Sequence, residues 1–291
     1  MSNDALLRRR LMGWYREHGR HDLPWRLTRD PYAVLLSEVM LQQTQVARVL
    51  PYYEAWMERW PTVAALAGAS AGDTIREWGG LGYNRRAVFL HRTASTVMAD
   101  NGRIPKNIDQ LVRLPGIGPY TARAVACFAF GTRTTVADTN IARVMSRALL
   151  GLATPKGAPS IERERAAREL LPLRNARDHN LALMDLGATV CTARAPGCNV
   201  CPLVTLCAWR AAGYPVVQSE AASGAVPFEH SARFGRGRIV ENLRAQRSAS
   251  TSDLARGLPE AHAARVDEYL EALERDGVIE HSGDDEWRLP V

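Results

Sequence analysis

The sequence predicts an all-α body followed by a small winged-helix-like unit. Three observations carry that expectation. Apolar residues recur at helical spacing in "YAVLLSEVMLQQTQVARVL", "RRAVFLHRTASTVMA", "IDQLVRL", "ARAVACFAF", "IARVMSRALL" and "RERAARELL", the signature of amphipathic helices. Glycine- and proline-rich breakers separate these stretches at 79–82, 101–105, 115–119 and 154–160, and no alternating strand pattern runs between them. Near residue 213 the composition then changes, from a basic Arg-rich body to an acidic tail.

Taken in order, "MSNDALLRRRLMGWYREHG" reads as an amphipathic helix. It has neither the long apolar stretch nor the small-residue cleavage site of a secretion signal. No run of about 18 apolar residues occurs, so no membrane span is expected, and a cytoplasmic, nucleoid-associated location follows. Residues 213–235 are poor in periodicity and contain Pro, Gly and Ser, which predicts a linker. In 236–291, "GRIVENLRAQ", "TSDLARGL" and "ARVDEYLEALERDGVIEHSGDDEWRLP" predict three helices and a hairpin through "SGDD". That is the order of a winged helix, although a small helical interaction module of another kind fits the same pattern.

The 291 residues carry a net charge of +6, unevenly placed. Residues 218–291 are net −5, leaving the body at +11. A basic body suggests an anionic partner, for which nucleic acid is the common case, or simply a solvated Arg-rich surface. Only two lysines occur, Lys106 and Lys156.

Four of the five cysteines, Cys191, Cys198, Cys201 and Cys207, fall within 17 residues with spacing C-x6-C-x2-C-x5-C. In a reducing compartment such a group points to a metal centre rather than to disulfides. Zinc is the simplest occupant, but zinc ribbons usually pair two C-x2-C knuckles, and only one is present. A four-iron, four-sulfur cluster held by four thiolates fits better. Cys127, inside "AVACFAF", reads as a core residue.

In "LPGIGPYTARAV" (114–125), Gly116 and Gly118 can adopt positive φ and allow close backbone approach. The helix that follows offers N–H groups able to bind phosphate without reading any base. Downstream, Asp138 precedes a helix and is a plausible N-cap, as are Thr139 and Asn140.

With the hairpin, the Asp and the cysteine loop in this order, the chain resembles the helix–hairpin–helix DNA glycosylases related to endonuclease III. Within them it is similar to the MutY-type adenine glycosylases, on "DLPWR" (22–26), "SEVMLQQTQV" (37–46), "WGGLGYNRRA" (78–87), "LPGIGPYTARAV" (114–125) and "DLGATVCTARAPGCNVCPL" (185–203). The resemblance spans about residues 10–210. It implies a two-lobed glycosylase domain over 1–212, with a six-helix lobe near 28–135 and a cluster lobe from 1–27 and 136–212. It also implies one [4Fe–4S] cluster on the four cysteines. The expected partner is double-stranded DNA with a mismatched or oxidised base pair, with no membrane and no second copy of the chain.

Breaking an N-glycosidic bond calls for an acid on the base and a negative charge near the sugar. Glu38, in the apolar "VLLSEVML", is expected to stay protonated through burial. Asp138 is expected to be held ionised by the helix N-terminus. The resemblance assigns the same roles, with Glu38 protonating the adenine ring and Asp138 stabilising or transiently capturing the sugar cation, and adds Tyr120 and Asn140 as supporting residues. Bifunctional relatives carry a Schiff-base lysine where Tyr120 stands. Tyr120 has no amine, and neither lysine lies in a motif, so water is the expected final nucleophile and strand cleavage should be weak or absent.

The target base must leave the duplex. Gln42 and Gln43 could fill the vacated stack, Tyr83 could wedge the opposite strand, and Trp25 could wall the base pocket with Arg26 nearby. Pro115, Gly116 and Gly118 form the DNA-facing turn.

Three departures bear on specificity. Thr139 replaces the family's Gly in "DTN". Leu181 stands where many relatives carry Gln or Glu. The long C-terminal domain that reads 8-oxoguanine in fuller members is absent from this sequence. The expected reaction is removal of adenine opposite 8-oxoguanine or guanine. A uracil or thymine mismatch glycosylase on the same scaffold and a non-catalytic, cluster-bearing DNA-binding protein are the alternatives.

Overall fold

A computed structural model describes residues 3–157, 160–214, 227–283 and 285–291. They form two compact units that interleave along the chain. The first comprises Met1–Leu35, Pro105–Val112 and Ile117–Glu220, and the second Leu36–Ile104, Arg113–Gly116 and Ala221–Val291. Residues 28–35, 105–112 and 117–135, expected with the 28–135 lobe, thus group with the first unit. Strands occur only in 249–288 among the described residues. No helix there is long and apolar enough to cross a membrane.

In the first unit the helices Asn3–His18 and Thr139–Leu150 both pack on helix Ala176–Thr189. Leu7, Leu11 and Tyr15 recur at four-residue intervals and are buried on one face. Thr139–Leu150 has matched ends. The Asp138 carboxylate accepts from the N–H of Ile141 at its start, and Gly151, in the left-handed region at φ 69°, ends it. Beyond Thr189 the chain continues through a short 3-10 turn, Cys198–Val200, and the helix Ala208–Ala211.

The second unit begins with helices Val46–Arg59, Val63–Ala67, Ala71–Trp78 and Arg85–Asp100. Thr62 and Ser70 cap the second and third of these by accepting from Ala65 and Asp73 N–H groups. Trp56 and Trp78 are fully buried and meet edge to face, with centroids 5.6 Å apart. Such pairs add about 0.5–1.5 kcal/mol to the area they bury.

The C-terminal part of this unit has helices Ala232–Ala245, Thr251–Arg256, Glu260–Ala263 and Val266–Arg275. It closes with a three-stranded antiparallel sheet in the order β1-β3-β2, where β1 is Ala249–Ser250, β2 Glu280–His281 and β3 Glu286–Arg288. Helices followed by a hairpin match the expected winged-helix order. The strand β1 adds to it, being too short to show alternation in sequence. Asp284, in the expected "SGDD" turn, lies outside the described residues.

Much of the expected linker, residues 215–226, also lies outside them. Its end differs from expectation, because the helix starts at Ala232 under a Ser231 cap. Gly235 and Gly237 suggest a break in the sequence, yet Gly235 is helical. A Cβ there would sit 2.4 Å from the Tyr269 ring, so the glycine permits close packing.

This part is anchored on the helices that precede it within the same unit. Pro290 accepts from the Gly72 N–H at 2.7 Å. Arg244 donates to the Ile75 carbonyl at 3.0 Å and to Asn84 Oδ1 at 2.8 Å, and Arg85 pairs with Asp276 at 3.4 Å.

Candidate active site and nucleic-acid interface

Glu38 lies near the end of the helix Pro31–Met40, in the part grouped with the second unit. Asp30 starts that helix, accepting from the N–H groups of Tyr32 and Ala33. Residues 32–40 are all buried, and Glu38 itself is 8 % exposed. It is the one carboxylate on a helix otherwise buried from Tyr32 to Met40.

After Met40 the chain turns sharply, and Gln43 takes φ 55°. A second turn, 79–84, brings Tyr83 to φ 50°. Non-glycine residues seldom occupy this region, and the strain persists only where surroundings impose it. Arg86 imposes it at both turns. Its Nη1 donates to the carbonyls of Val39, Met40 and Gln42 at 2.8–2.9 Å. Its Nη2 donates to Leu81 and Gly82 carbonyls and to Thr44 Oγ1 at 3.0–3.2 Å. Burial lowers the Arg86 pKa to about 10, with the nearby Tyr83 opposing, so the group is still a cation at neutral pH. The two turns thereby place Tyr83 Oη 2.6 Å from Gln43 Oε1, donating to it. Both residues are exposed. Gln42 is tied to the same hub through its carbonyl.

The hairpin forms between the helices Ile108–Val112 and Pro119–Phe128. Gly116 has φ 73°, and a Cβ there would lie 2.5 Å from Phe89 Cβ. Pro115 is held through its carbonyl by Thr93 Oγ1 at 2.7 Å. Gly118 departs from expectation. It is extended, at φ −83°, and serves as N-cap of the second helix, bringing no side-chain acceptor. Open space surrounds the position of its missing Cβ. Tyr120 is the second residue of that helix, partly exposed.

Asp138 and Asn140 are joined side chain to side chain, with Asn140 Nδ2 donating to Asp138 Oδ2 at 2.9 Å. Arg143 fixes Asn140 by donating to its Oδ1 at 2.8 Å, and reaches the carbonyls of Gly187 at 2.6 Å and Cys191 at 2.7 Å. Gly187 is required here, since a Cβ would stand 2.7 Å from Asn140 Cβ. The helix start is one of several influences on Asp138, and burial acts against it. Burial pushes its carboxyl above the usual range, and this outweighs the Ile141 N–H, Asn140 and the Arg143 charge that pull it down.

Trp25 is 7 % exposed. Arg26 is committed elsewhere, because both its terminal nitrogens engage the fully buried Asp185 at 2.6 and 2.7 Å, with Arg20 completing the group. Burial would raise the Asp185 carboxyl, but the two arginines bring it below the usual range. Arg26 therefore leaves the DNA-facing set. Its charge is spent on joining the 20–26 segment to helix Ala176–Thr189.

The four loop cysteines line a single cavity with Val190, Arg147 and Trp209. Arg147 is buried over Trp209. It donates to the carbonyls of Thr192 and Ala193 and approaches Cys191 Sγ at 3.5 Å, a cationic lining suited to thiolates. Among the described residues no three metal-ligating side chains form a group that could hold a metal ion. Cys127 is buried and accepts from Asn180, as a core residue would.

The model of the HhH-GPD superfamily base excision DNA repair protein matches residues 36–172, a span containing Glu38, both turns, the hairpin and Asp138. An adenine DNA glycosylase of Mycobacterium tuberculosis (strain ATCC 25618 / H37Rv) is 45 % identical over 284 residues, covering 96 % of this chain and 92 % of that protein.

The chain belongs to the adenine DNA glycosylase family.

The human member is 44 % identical over 208 residues, 68 % of this chain and 38 % of its own length. Among solved structures, that of a thermostable thymine-DNA glycosylase matches with TM-score 0.67 and 30 % identity, covering 72 % of this chain and 97 % of that one. A non-covalent endonuclease III–DNA complex matches with TM-score 0.62 at 22 % identity, a likeness of fold. Against this family background, sequence reasoning missed Arg86, Arg143 and Gly187. All three lie in or beside quoted motifs, but each acts through carbonyls or close packing that spacing does not reveal.

Proposed function

We propose that this family member is a monofunctional base-excision glycosylase that hydrolyses the bond between adenine and deoxyribose in pairs with 8-oxoguanine or guanine. The observation that carries the reading is the 45 % identity running through almost the whole of both chains with an adenine DNA glycosylase. Glu38 gives a proton to the adenine ring, and Asp138 in its ionised form stabilises or transiently captures the sugar cation. Asn140 and Tyr120 support that pair. Water completes the reaction, since the tyrosine at 120 offers no amine and Lys106 and Lys156 lie outside the motifs.

Gln42, Gln43 and Tyr83 enter the duplex as the base leaves. Pro115, Gly116 and Gly118 face the backbone, where open space at Gly118 and an uncapped helix start suit a phosphate. Trp25 walls the base pocket. Cys191, Cys198, Cys201 and Cys207, which line one cavity although they do not converge as a single-ion site, would hold a [4Fe–4S] cluster that braces the loop after helix Ala176–Thr189.

A thymine or uracil mismatch glycosylase is the second reading, favoured by the likeness to a thymine-DNA glycosylase structure and by the buried Leu181, which offers the base no hydrogen bond. A duplex panel with A, U or T opposite guanine and 8-oxoguanine separates the two, assayed with and without alkali. The expected result is alkali-dependent cleavage at A alone. Release of U or T with A untouched overturns the adenine reading, and cleavage without alkali overturns the monofunctional one.

A further inference from the structure

Tyr83 makes a contact that the glycosylase reading does not use. Arg233, in the first turn of helix Ala232–Ala245, lies over its ring with the guanidinium carbon 5.0 Å from the centroid. The same guanidinium donates to Tyr83 Oη and stands 5.2 Å from the ring centroid of Phe228. Tyr83 Oη in turn donates to Gln43. Gln43, Tyr83, Arg233 and Phe228 thus form one exposed row that combines both turns with the C-terminal part of the second unit.

The position of that helix is fixed at a second point, since Arg244 holds Asn84, the residue next to Tyr83, at 2.8 Å. Its charge is also unlike its surroundings. Helix Ala232–Ala245 carries four arginines and one glutamate, whereas the rest of 227–291 is net −7. DNA phosphates therefore favour this helix and disfavour its neighbours.

A stacked guanidinium is an ordered one. It gives up one donor to Tyr83 and keeps the others, in a planar fork suited to a purine edge carrying carbonyl acceptors. Guanine offers O6 and N7 as acceptors, and oxidation at C8 adds a second carbonyl while turning N7 into an N–H donor, so the acceptors become O6 and O8.

We propose that Arg233 is a specificity-determining residue, delivered by the C-terminal part of the chain alongside the Tyr83–Gln43 pair to read the purine opposite the excised base. The inference rests on the glycosylase reading for the identity of that pair, so its test uses binding rather than turnover.

Affinity of the full chain is measured for duplexes containing a tetrahydrofuran abasic analogue opposite 8-oxoguanine, guanine or a second abasic analogue. Wild type, Arg233→Ala and Arg233→Lys are compared across a salt series. The expected result is that both variants lose about tenfold of the preference for an opposing guanine or 8-oxoguanine over no base. Lys should keep the wild-type slope of affinity against salt, because it keeps the charge but not the fork. A ratio unchanged in Arg233→Ala overturns the proposal, as does an equal loss on all three duplexes, which marks a phosphate contact. Preference retained in Arg233→Lys overturns the role of the fork. A wild type that prefers purine-containing duplexes yet releases no adenine from the panel above removes the reaction and leaves this result standing.

Discussion

The proposed reaction asks Asp138 to be an anion in a place that disfavours one. Its carboxyl is raised by burial despite the N–H of Ile141 and the amide of Asn140. A carboxyl raised in the native state contributes stability that is full below its unfolded pKa and is lost as pH rises through the native value. At neutral pH the native protein therefore carries a deficit, which removing the charge relieves. Asp138→Asn, itself a good N-cap, should abolish base release while raising Tm at pH 7. That Tm advantage should shrink as pH falls towards the unfolded carboxyl value of about 3.9. Thermal melts of both proteins from pH 4 to 8 check this, and identical melting curves throughout would contradict it. The wild-type rate should fall on the acid side at a pH above the ordinary carboxylate range. The N-cap position of Asp138 was legible from its place ahead of a helix. The rise in its pKa was not, because the burial comes from folding and the helix-end argument considers only local dipoles.

At the scale of elements, the two turns and the ion-pair tie show what spacing can and cannot reveal. The motif "GYNRRA" marks a turn entering a helix, and that much was readable. Its two arginines look alike in sequence, yet Arg85 is exposed and pairs with Asp276, whereas Arg86 is buried among six acceptors. Only the three-dimensional return of residues 39–44 distinguishes them. Arg26 gives the opposite lesson, for a basic residue beside a tryptophan in a DNA-binding chain suggests a phosphate contact. Its buried partner, Asp185, lies 159 positions along the chain. Arg26→Ala should destabilise the protein by about 3 kcal/mol, the lower end for breaking a buried pair, because Arg20 still faces Asp185. Denaturant melts measure the loss, with nonspecific DNA affinity unchanged. A large affinity loss without destabilisation would restore Arg26 to the DNA-facing set.

At the scale of the whole molecule, the helical body, the breakers and the shift to an acidic tail were all legible, since periodicity and charge are properties of the chain itself. The interleaving of the two units was not, because it depends on which distant segments pack together. Residues 36–104 already contain the Gly72 N–H, the Ile75 carbonyl and Asn84, but Pro290 and Arg244 satisfy them only from the far end of the sequence. Deleting 227–291 should therefore speed amide hydrogen exchange at Gly72 while leaving exchange in helix Ala176–Thr189, in the other unit, near its original rate. Uniform acceleration in both would show that the units unfold together. The same dependence has a temporal side. On a ribosome adding about 5–20 residues per second, the stretch from 221 onwards takes on the order of ten seconds to appear. Throughout that interval segment 36–104 waits with the Gly72 N–H, the Ile75 carbonyl and Asn84 still uncovered.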